Sequence, residues 1–170
     1  YSLEHLNLSK QKDIAKEIYN ENADEIKIRP YEHHAKYYET DQMGIVHHSN
    51  YIRWFEEARV DLIEQAGLPF ETVEAQGLMT PVLSAESTYK LPFKFGDVFI
   101  VKAYIPDFGG ARFSVTYEVY DPDGVLHAVG KTTHCFVDMD MRPVRIKKTH
   151  PHVYEVYDEI CRSTEELYDE

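Results

Sequence analysis

The sequence is short of cysteine and of long apolar runs, and each shortage excludes a class of protein. Its two cysteines, Cys135 and Cys161, are too few for a disulfide scaffold. A reducing compartment, the cytoplasm, is therefore the expected location. No run of about 18 apolar residues occurs, so no helix is expected to span a membrane. The first residues also lack the apolar core of a signal peptide.

Positive charge is scarce as well. The chain has 18 Lys and Arg residues against 30 Asp and Glu residues, which gives a formal net charge of -12. This balance disfavours binding to nucleic acid or to an anionic membrane, because both need a basic surface. It is still compatible with a phosphorylated small ligand, since such a ligand needs only a local cluster of Lys and Arg.

Several motifs of catalysis and metal binding are missing. The chain contains no G-x-S-x-G elbow, no P-loop and no G-x-G-x-x-G after a strand. Nine histidines are present, but no two are spaced four apart on a helix around a Glu, and no Cys-x-x-Cys occurs. We therefore expect neither a metal nor a cofactor.

What the chain does contain is typical of one globular domain with a shorter segment on each side. Its 170 residues are 43% apolar and 28% charged, and the 13 tyrosines favour sheets and interfaces. Residues 1–29 are predicted to form a helical appendage, capped by Ser9 and carrying only a narrow apolar stripe. Residues 30–148 form the predicted main domain. Residues 149–170 form a C-terminal helix, with Pro151 in its first turn.

The main domain is predicted to hold one long helix and five strands. The helix starts near Ser49, with Ser49 and Asn50 as caps, runs for about 17 residues, and ends before Gly67 and Pro69. It is apolar around most of its circumference, so other elements should wrap it. Only strands are expected after it, and short turns such as "KFGD", "DFGG" and "DPDG" make successive strands antiparallel neighbours. The predicted strands are residues 31–40, 80–90, 97–105, 111–120 and 125–137.

This order of elements predicts an α+β hot-dog fold, in which an antiparallel sheet curls around one long helix. The sequence places the helix after the first strand and a four-strand meander after the helix. A single curled sheet leaves an unpaired edge, and such edges favour pairing with another chain. We therefore expect a homodimer or a homotetramer, with Tyr-rich strands at its interface.

The segment between the first strand and the helix crowds unusual residues together. In "TDQMGIVHHSN", Asp41 and Gly44 precede two adjacent histidines, His47 and His48. The first N–H groups of a helix are unpaired and carry partial positive charge, so they can hold a developing oxyanion. An acid held nearby can attack a carbonyl or activate a water. The simpler alternative is that Asp41 caps a turn that Gly44 closes.

The stretch "YYETDQMGIVHHSNYIRWFEEAR" resembles the signature of the hot-dog acyl-CoA thioesterases of the 4-hydroxybenzoyl-CoA thioesterase type. The resemblance extends over residues 31–145, because "TPVLSAESTYKLPFKFGDVFIV" is similar to the second strand and turn of that family. It implies hydrolysis of an acyl-CoA thioester to a free carboxylic acid and CoA. Asp41 would be the nucleophile or the general base, and the helix start at His48 would form the oxyanion site through its backbone N–H or its side chain.

The resemblance also implies where the substrate binds. Residues at the helix start and on the next strand would contact the acyl thioester, and His47 stands where the family often has tyrosine. The phosphates of CoA need a local basic cluster, and "RPVRIKK" is the densest one in the chain. The implied substrate-binding residues are Gly44, His47, Asn50, Tyr51, Val82, Ser84, Arg145 and Lys147.

Two other functions fit the same fold. A hot-dog protein can bind acyl-CoA without turnover, as a ligand sensor, although residues 1–29 are too short and acidic for a DNA-binding module. A dehydratase would need an acid–histidine motif that is not visible here. Thiol release from a panel of acyl-CoA esters would distinguish an enzyme from a sensor. The residues do not identify the acyl group.

Overall fold

The computed structural model describes residues 27–168, and the helix predicted within residues 1–29 lies outside the described residues. No helix in this part of the chain is long and apolar enough to cross a membrane. Short 3-10 turns occur at Tyr37–Glu39 and Thr164–Glu166. The helices are α1 (Ser49–Gln65), α2 (Phe70–Ala75), α3 (Ile146–Thr149) and α4 (Pro151–Arg162), and the strands are β1 (Tyr31–His34), β2 (Val82–Tyr89), β3 (Val98–Phe108), β4 (Arg112–Tyr120) and β5 (Leu126–Cys135).

The five strands form one antiparallel sheet in the order β1-β3-β4-β5-β2. The meander of β3, β4 and β5 is confirmed, but the prediction that β2 belongs to it is wrong, because β2 pairs with β5 at the far edge. The link between β2 and β3 is not a hairpin turn. Its Phe93 is buried, and the Phe93 carbonyl accepts the Val46 N–H at 2.7 Å. The link is therefore held under the loop before α1, and this lets β2 and β3 lie apart.

The first strand is shorter than predicted. It ends at His34, and a 3-10 turn comes next where the sequence predicts strand up to Thr40. The side chain of Glu39 accepts the Lys36 N–H at 2.7 Å, and the Glu39 N–H donates to the Lys36 carbonyl at 3.0 Å. The first bond is the Glu39 half of a capping box, and together the two bonds close the 3-10 turn in which the backbone leaves the sheet.

The long helix α1 has the predicted length of 17 residues and lies across the concave face of the sheet. Its Trp54 ring lies against Phe99 of β3, and its Phe55 stacks on Tyr117 of β4 with ring centroids 4.5 Å apart. Phe55 also sits directly over Gly130 of β5, where an added Cβ would come within 2.2 Å of the ring. The absence of a side chain at Gly130 is therefore what lets the helix approach the sheet closely.

The helices outside α1 add to the core. The prediction that only strands follow α1 is wrong. The short helix α2 lies between α1 and β2, and the short helix α3 comes after β5. The C-terminal helix is confirmed as α4, with Pro151 in its first turn. Its Val153, Val156 and Ile160 are buried, and the helix packs against β3. Residues on this helix thus belong to the same core as the sheet.

Candidate active site

Asp41 begins a tight turn that leads to α1. Its N–H donates to the Ile45 carbonyl at 2.9 Å, and its own carbonyl accepts the Gly44 N–H at 3.0 Å. Its side-chain Oδ1 accepts the Met43 N–H at 2.8 Å. Gly44 has a φ of 77°, a conformation that glycine adopts without steric cost. Asp41 therefore does cap a turn that Gly44 closes, while its Oδ2 accepts no hydrogen bond from residues 27–168.

The helix start, residues 47–50, leaves one backbone donor free. The His47 N–H donates to the Glu39 carbonyl at 2.7 Å, and the Ser49 N–H donates to Nδ1 of His47 at 3.2 Å. Between them, the His48 N–H has no hydrogen-bond acceptor in the described part of the chain. The cap is thus the imidazole of His47, not the side chains of Ser49 and Asn50 that the sequence predicts.

The side chain of His48 is exposed, and its contacts with the described residues are between rings. It stacks on His47 with ring centroids 4.1 Å apart and meets the edge of Tyr89 at 6.3 Å. The Tyr89 hydroxyl donates to the His48 carbonyl at 2.9 Å. The end of β2 is therefore attached to the helix start.

A buried acid that was not among the predicted site residues, Glu39, lies beside the segment that leads into α1. Glu39 is only 5% exposed. Its carboxylate accepts bonds from His33 Nε2 at 2.9 Å, the Lys36 N–H at 2.7 Å and Trp54 Nε1 at 2.7 Å. Burial alone would raise the pKa of Glu39, but these donors hold that pKa below its ordinary value. Glu39 is thus an ionised, fully hydrogen-bonded group inside the protein.

The backbone of Glu39 connects this buried acid to the helix start. Its carbonyl accepts the His47 N–H and also the side-chain amide of Asn50, the latter at 2.9 Å. The sequence offers one signal for this role, an acid inside the aromatic run "YYET". That signal is weak, because burial of the acid depends on Trp54, which lies 15 residues later.

The structure brings most predicted threshold residues together. Asp41, Gly44, His47 and His48 lie on the turn and helix start, and Asn50 is buried with its amide on the Glu39 and His47 carbonyls. Tyr51 is also buried, with its ring against Trp54 and Tyr89, and burial raises its pKa to about 12.

Val82 and Ser84 lie away from this group, at the other end of β2. Ser84 pairs with Thr133 and its hydroxyl contacts that of Thr133. The neighbouring Thr132 is buried beneath the helix side of the sheet, so by strand alternation Ser84 faces the opposite side. Val82 begins the strand, seven residues before Tyr89.

The two predicted basic residues lie at the far end of the sheet. Arg145, Lys147 and Lys148, called here the basic patch, border a cavity of about 560 Å³ beside residues 109–111. That hairpin comes at the end of β3, whereas the Asp41 turn adjoins the segment just before β3 through the Ile45–Lys94 bridge. A strand of 11 residues spans roughly 35 Å, so one chain does not bring the patch to Asp41.

Comparisons with known proteins identify relatives of this arrangement. Residues 36–158 match the family described as the Thioesterase-like superfamily. The Bacillus subtilis protein named "Putative acyl-CoA thioesterase YneP" is 34% identical over 125 residues, which are 73% of this chain and 91% of that protein. The solved structure of a DHNA-CoA thioesterase from Staphylococcus aureus is similar with a TM-score of 0.77 and 29% identity, covering 83% of this chain and 97% of the other.

A second solved structure, of a hypothetical protein from Aquifex aeolicus, has a TM-score of 0.70 and 36% identity, covering 76% of this chain and 98% of that chain. The family match includes the Asp41 turn, α1 and all of β2 to β5. It confirms the resemblance to hot-dog thioesterases at the level of the superfamily. The chain therefore belongs to the Thioesterase-like superfamily, and it is a thioester hydrolase with the hot-dog fold.

Proposed function

We propose that this protein hydrolyses an acyl-CoA thioester to a free carboxylic acid and CoA, with Asp41 as nucleophile or general base and the His48 N–H as oxyanion donor. One observation carries the proposal. Asp41, an acid with an unused carboxylate oxygen, lies on the turn that leads to the helix start, and at that helix start the His48 N–H has no acceptor among residues 27–168. A carboxylate oxygen is the attacking or proton-accepting group that the reaction needs, and the N–H is the donor that it needs.

The chemistry balances with water as the only other reactant. Attack on the carbonyl carbon forms a new C–O bond and moves an electron pair onto the carbonyl oxygen, which the His48 N–H stabilises. Collapse of this intermediate breaks the C–S bond and releases CoA as a thiolate, which becomes the thiol by taking a proton from the solvent or from protonated Asp41. If Asp41 attacks directly, an acyl–Asp41 anhydride forms and water then cleaves it. If Asp41 is the base, it takes a proton from the attacking water.

The edge strand β2 supports a homodimer or a homotetramer. The strand is eight residues long, pairs with β5 alone among the described strands, and leaves Val82, Leu83 and Tyr89 about half exposed. An open edge with apolar side chains favours pairing with a second copy. A two-fold axis through two antiparallel β2 strands would set the start of one strand beside the end of the other.

Such a dimer would also resolve the separation of the basic patch from Asp41. The two-fold axis reverses the second sheet, so the patch end of one copy lies at the Asp41 end of the other. We infer that Arg145 and Lys147 bind the CoA phosphates for the active site of the neighbouring copy. Lys and Arg clusters of this kind bind phosphate despite a negative net charge.

Mixing two impaired variants tests this arrangement. Asp41→Asn chains, which lack turnover, and Arg145→Ala/Lys147→Ala chains, which keep turnover at a raised KM, would be combined under conditions that exchange subunits. If the patch acts on the neighbouring site, a mixed dimer contains one intact site, and a component with wild-type KM appears. If all the activity of the mixture keeps the raised KM, or light scattering shows only a 19.9 kDa monomer at micromolar concentration, the shared site is wrong.

The hydrolase assignment itself is tested by thiol release. A panel of short, long and aromatic acyl-CoA esters would be incubated with the protein and a thiol reagent, with the Asp41→Asn variant in parallel. We expect stoichiometric thiol and acid from at least one ester, and strong loss in the variant. A ligand-induced rise in melting temperature without any thiol release would instead identify an acyl-CoA-binding sensor.

A further inference from the structure

A second cavity, of about 360 Å³, lies beside the C-terminal half of α1. The helix, α2 and the start of β2 enclose it, and most of its walls are apolar. This volume is at the small end of the range for ligand pockets. Its apolar walls include Val60, Ile63, Leu68, Val73, Leu78 and Val82. It is separate from the Asp41 turn, because none of the residues 41–50 borders it.

Three charged residues border this cavity, and two of them, Glu56 and Glu74, are exposed acids. The third, Arg59, is buried, with only 7% of its surface exposed. Its Nη1 lies 3.1 Å from Nδ1 of His134 and 3.4 Å from the Thr80 hydroxyl. The nearest acid is Glu56, whose carboxylate lies 3.9 Å from Nη2, and its side chain is 67% exposed. Within residues 27–168 no buried carboxylate forms an ion pair with Arg59.

The groups behind Arg59 supply acceptors but no negative charge. Burial, together with the charge of Arg59, lowers the pKa of His134 to about 4, so the imidazole is neutral near pH 7. Its Nε2 lies 2.7 Å from the Thr132 hydroxyl, which lies 2.7 Å from the Tyr117 hydroxyl. The chain of hydrogen bonds that leads away from Arg59 is therefore neutral throughout.

The exposed Glu56 carboxylate, 3.9 Å from Arg59, offsets only part of the cost of burying this cation, and the remaining cost falls when a second anion joins it. The guanidinium has five N–H donors in a planar fork, and the structure gives hydrogen-bond partners only to Nη1 among the described residues. The free donors suit the two oxygens of a carboxylate. The apolar walls suit a hydrocarbon body attached to that carboxylate.

We propose that this cavity, called here the Arg59 pocket, binds the carboxylate of a small apolar acid, with Arg59 as the group that recognises the charge. Two sources have this chemistry. One is a free carboxylic acid, and the other is a carboxylate at the far end of an acyl group still attached to CoA. The second source rests on the proposed function and on the proposed pairing of β2, whereas the first does not.

The position of the pocket makes the second source sterically reasonable. Val82 at its rim begins β2, and Tyr89 at the other end of that strand contacts His48. Antiparallel pairing of two β2 strands would set the Arg59 pocket of one copy beside the helix start of the other. An acyl group attached at one site would then reach the pocket of the neighbouring copy.

Calorimetric titration tests carboxylate recognition without any turnover. Hexanoate and benzoate would be compared with hexanamide and benzamide in the wild-type protein. We expect each acid to bind at least roughly tenfold more tightly than its amide, the lower range for hydrogen bonds to a charged group. This preference should disappear in Arg59→Met and persist in Arg53→Met, which removes an exposed charge from the same helix.

A second variant covers the case in which Arg59→Met does not fold. Val60→Trp keeps Arg59 but fills the pocket with an indole, so both acid and amide should lose binding. Carboxylates that bind no better than amides to the wild type would overturn the proposal. Equal binding of the acids to the wild type and to Val60→Trp would also overturn it, because the site would then lie elsewhere.

A kinetic comparison separates the two sources. Hexanoyl-CoA would be compared with the CoA ester of the matching six-carbon dicarboxylic acid. A kcat/KM that is at least roughly tenfold higher for the dicarboxylic ester, and is lost in Arg59→Met, assigns the pocket to the acyl end. If free acids bind but the dicarboxylic ester has no higher kcat/KM than hexanoyl-CoA, the Arg59 pocket is assigned to a free acid. If no ester is hydrolysed, the proposed function fails while the titration still decides on the pocket.

Discussion

The turn that begins at Asp41 and the turn that begins at Asp138 are built alike. In each, the first N–H donates to the carbonyl four residues later, at 2.9 Å in both turns. In each, the first carbonyl accepts the N–H three residues later at 3.0 Å. The carboxylate Oδ1 accepts the N–H two residues later, at 2.8 Å for Asp41 and 2.9 Å for Asp138. Local turn chemistry therefore does not distinguish the candidate catalytic acid from a structural one.

The two turns differ in the number of hydrogen bonds that the carboxylate accepts. They also differ in the element that follows each turn. Oδ1 of Asp138 accepts a second N–H, from Arg142 at 3.0 Å, whereas Oδ1 of Asp41 accepts only one among the described residues. The Asp41 turn leads directly into the start of α1, with its free His48 N–H. The proposed role of Asp41 therefore depends on the helix start to which its turn leads and on its less occupied Oδ1, because the turn itself is common to both acids.

The largest expected effect separates the two acids directly. Asp41→Asn keeps an oxygen to accept the Met43 N–H but removes the basic group, so kcat should fall by roughly 100-fold or more. Asp138→Asn makes the same chemical change in the matching turn and should leave kcat unchanged. Steady-state kinetics and melting curves on both variants measure this. Near-wild-type turnover in Asp41→Asn would end the catalytic assignment.

The next effect concerns Glu39, the buried acid whose backbone carbonyl accepts the His47 N–H after the Asp41 turn. The Asp138 turn has no such buried acid among the described residues. Glu39→Gln removes the charge that three donors surround and loosens the carbonyl that holds His47. We expect kcat to fall by roughly tenfold to thirtyfold and stability to fall by about 1–3 kcal/mol. KM should change little, because Glu39 does not reach the substrate. The exposed Glu71→Gln is the control, and an equal loss there would show a general charge effect.

A third effect concerns the basic segment that comes after the Asp138 turn. Arg145→Ala/Lys147→Ala should raise KM for a CoA ester by roughly tenfold and leave kcat near its value, because phosphate contacts stabilise substrate and transition state equally. A pantetheine ester lacks the nucleotide phosphates, so both proteins should process it equally. An unchanged KM for CoA esters would show that the patch does not bind CoA.

A smaller effect is expected from the segment that comes after the Asp41 turn. His48→Ala keeps the backbone N–H, so kcat should fall only about threefold, far less than for a lost acid–base group. Steady-state kinetics, as for Asp41→Asn, measure this effect. If His48→Ala proves the more damaging of the two, the imidazole is the base and Asp41 orients it.

The smallest effect compares the fourth residue of each turn. Gly44 has a φ of 77°, and its counterpart Met141 has a φ of 60°, which is strained for a residue with a side chain. Met141→Gly should raise the free energy of unfolding by about 0.5–1 kcal/mol, and Gly44→Ala should lower it by about 1 kcal/mol. Denaturant titration measures both. A loss of stability in Met141→Gly would show that packing of the exposed methionine outweighs the backbone strain.

The sequence predicted those features that depend on neighbouring residues. Apolar spacing predicted α1 with its observed length, and alternation predicted four of the strands to within a few residues. A turn capped by Asp41 and closed by Gly44 was one of two alternatives for that segment, and the structure contains this turn. The short helix α2 was missed, because six residues carry too little periodicity to distinguish a helix from a loop.

Features that depend on distant residues were decided only by the tertiary structure. The place of β2 beside β5 depends on Phe93 being buried under the loop before α1, and the burial of Glu39 depends on Trp54 and His33. In the sequence, Arg59 does not differ from the other charged residues of α1. It is buried only because α4, β2 and β5 enclose it in the folded chain. The sequence by itself determined α1 and the approximate extent of four strands, because the spacing of apolar residues within each segment indicates them. Burial decides which charged groups have their hydrogen bonds satisfied by other residues, and burial is a property of the folded chain.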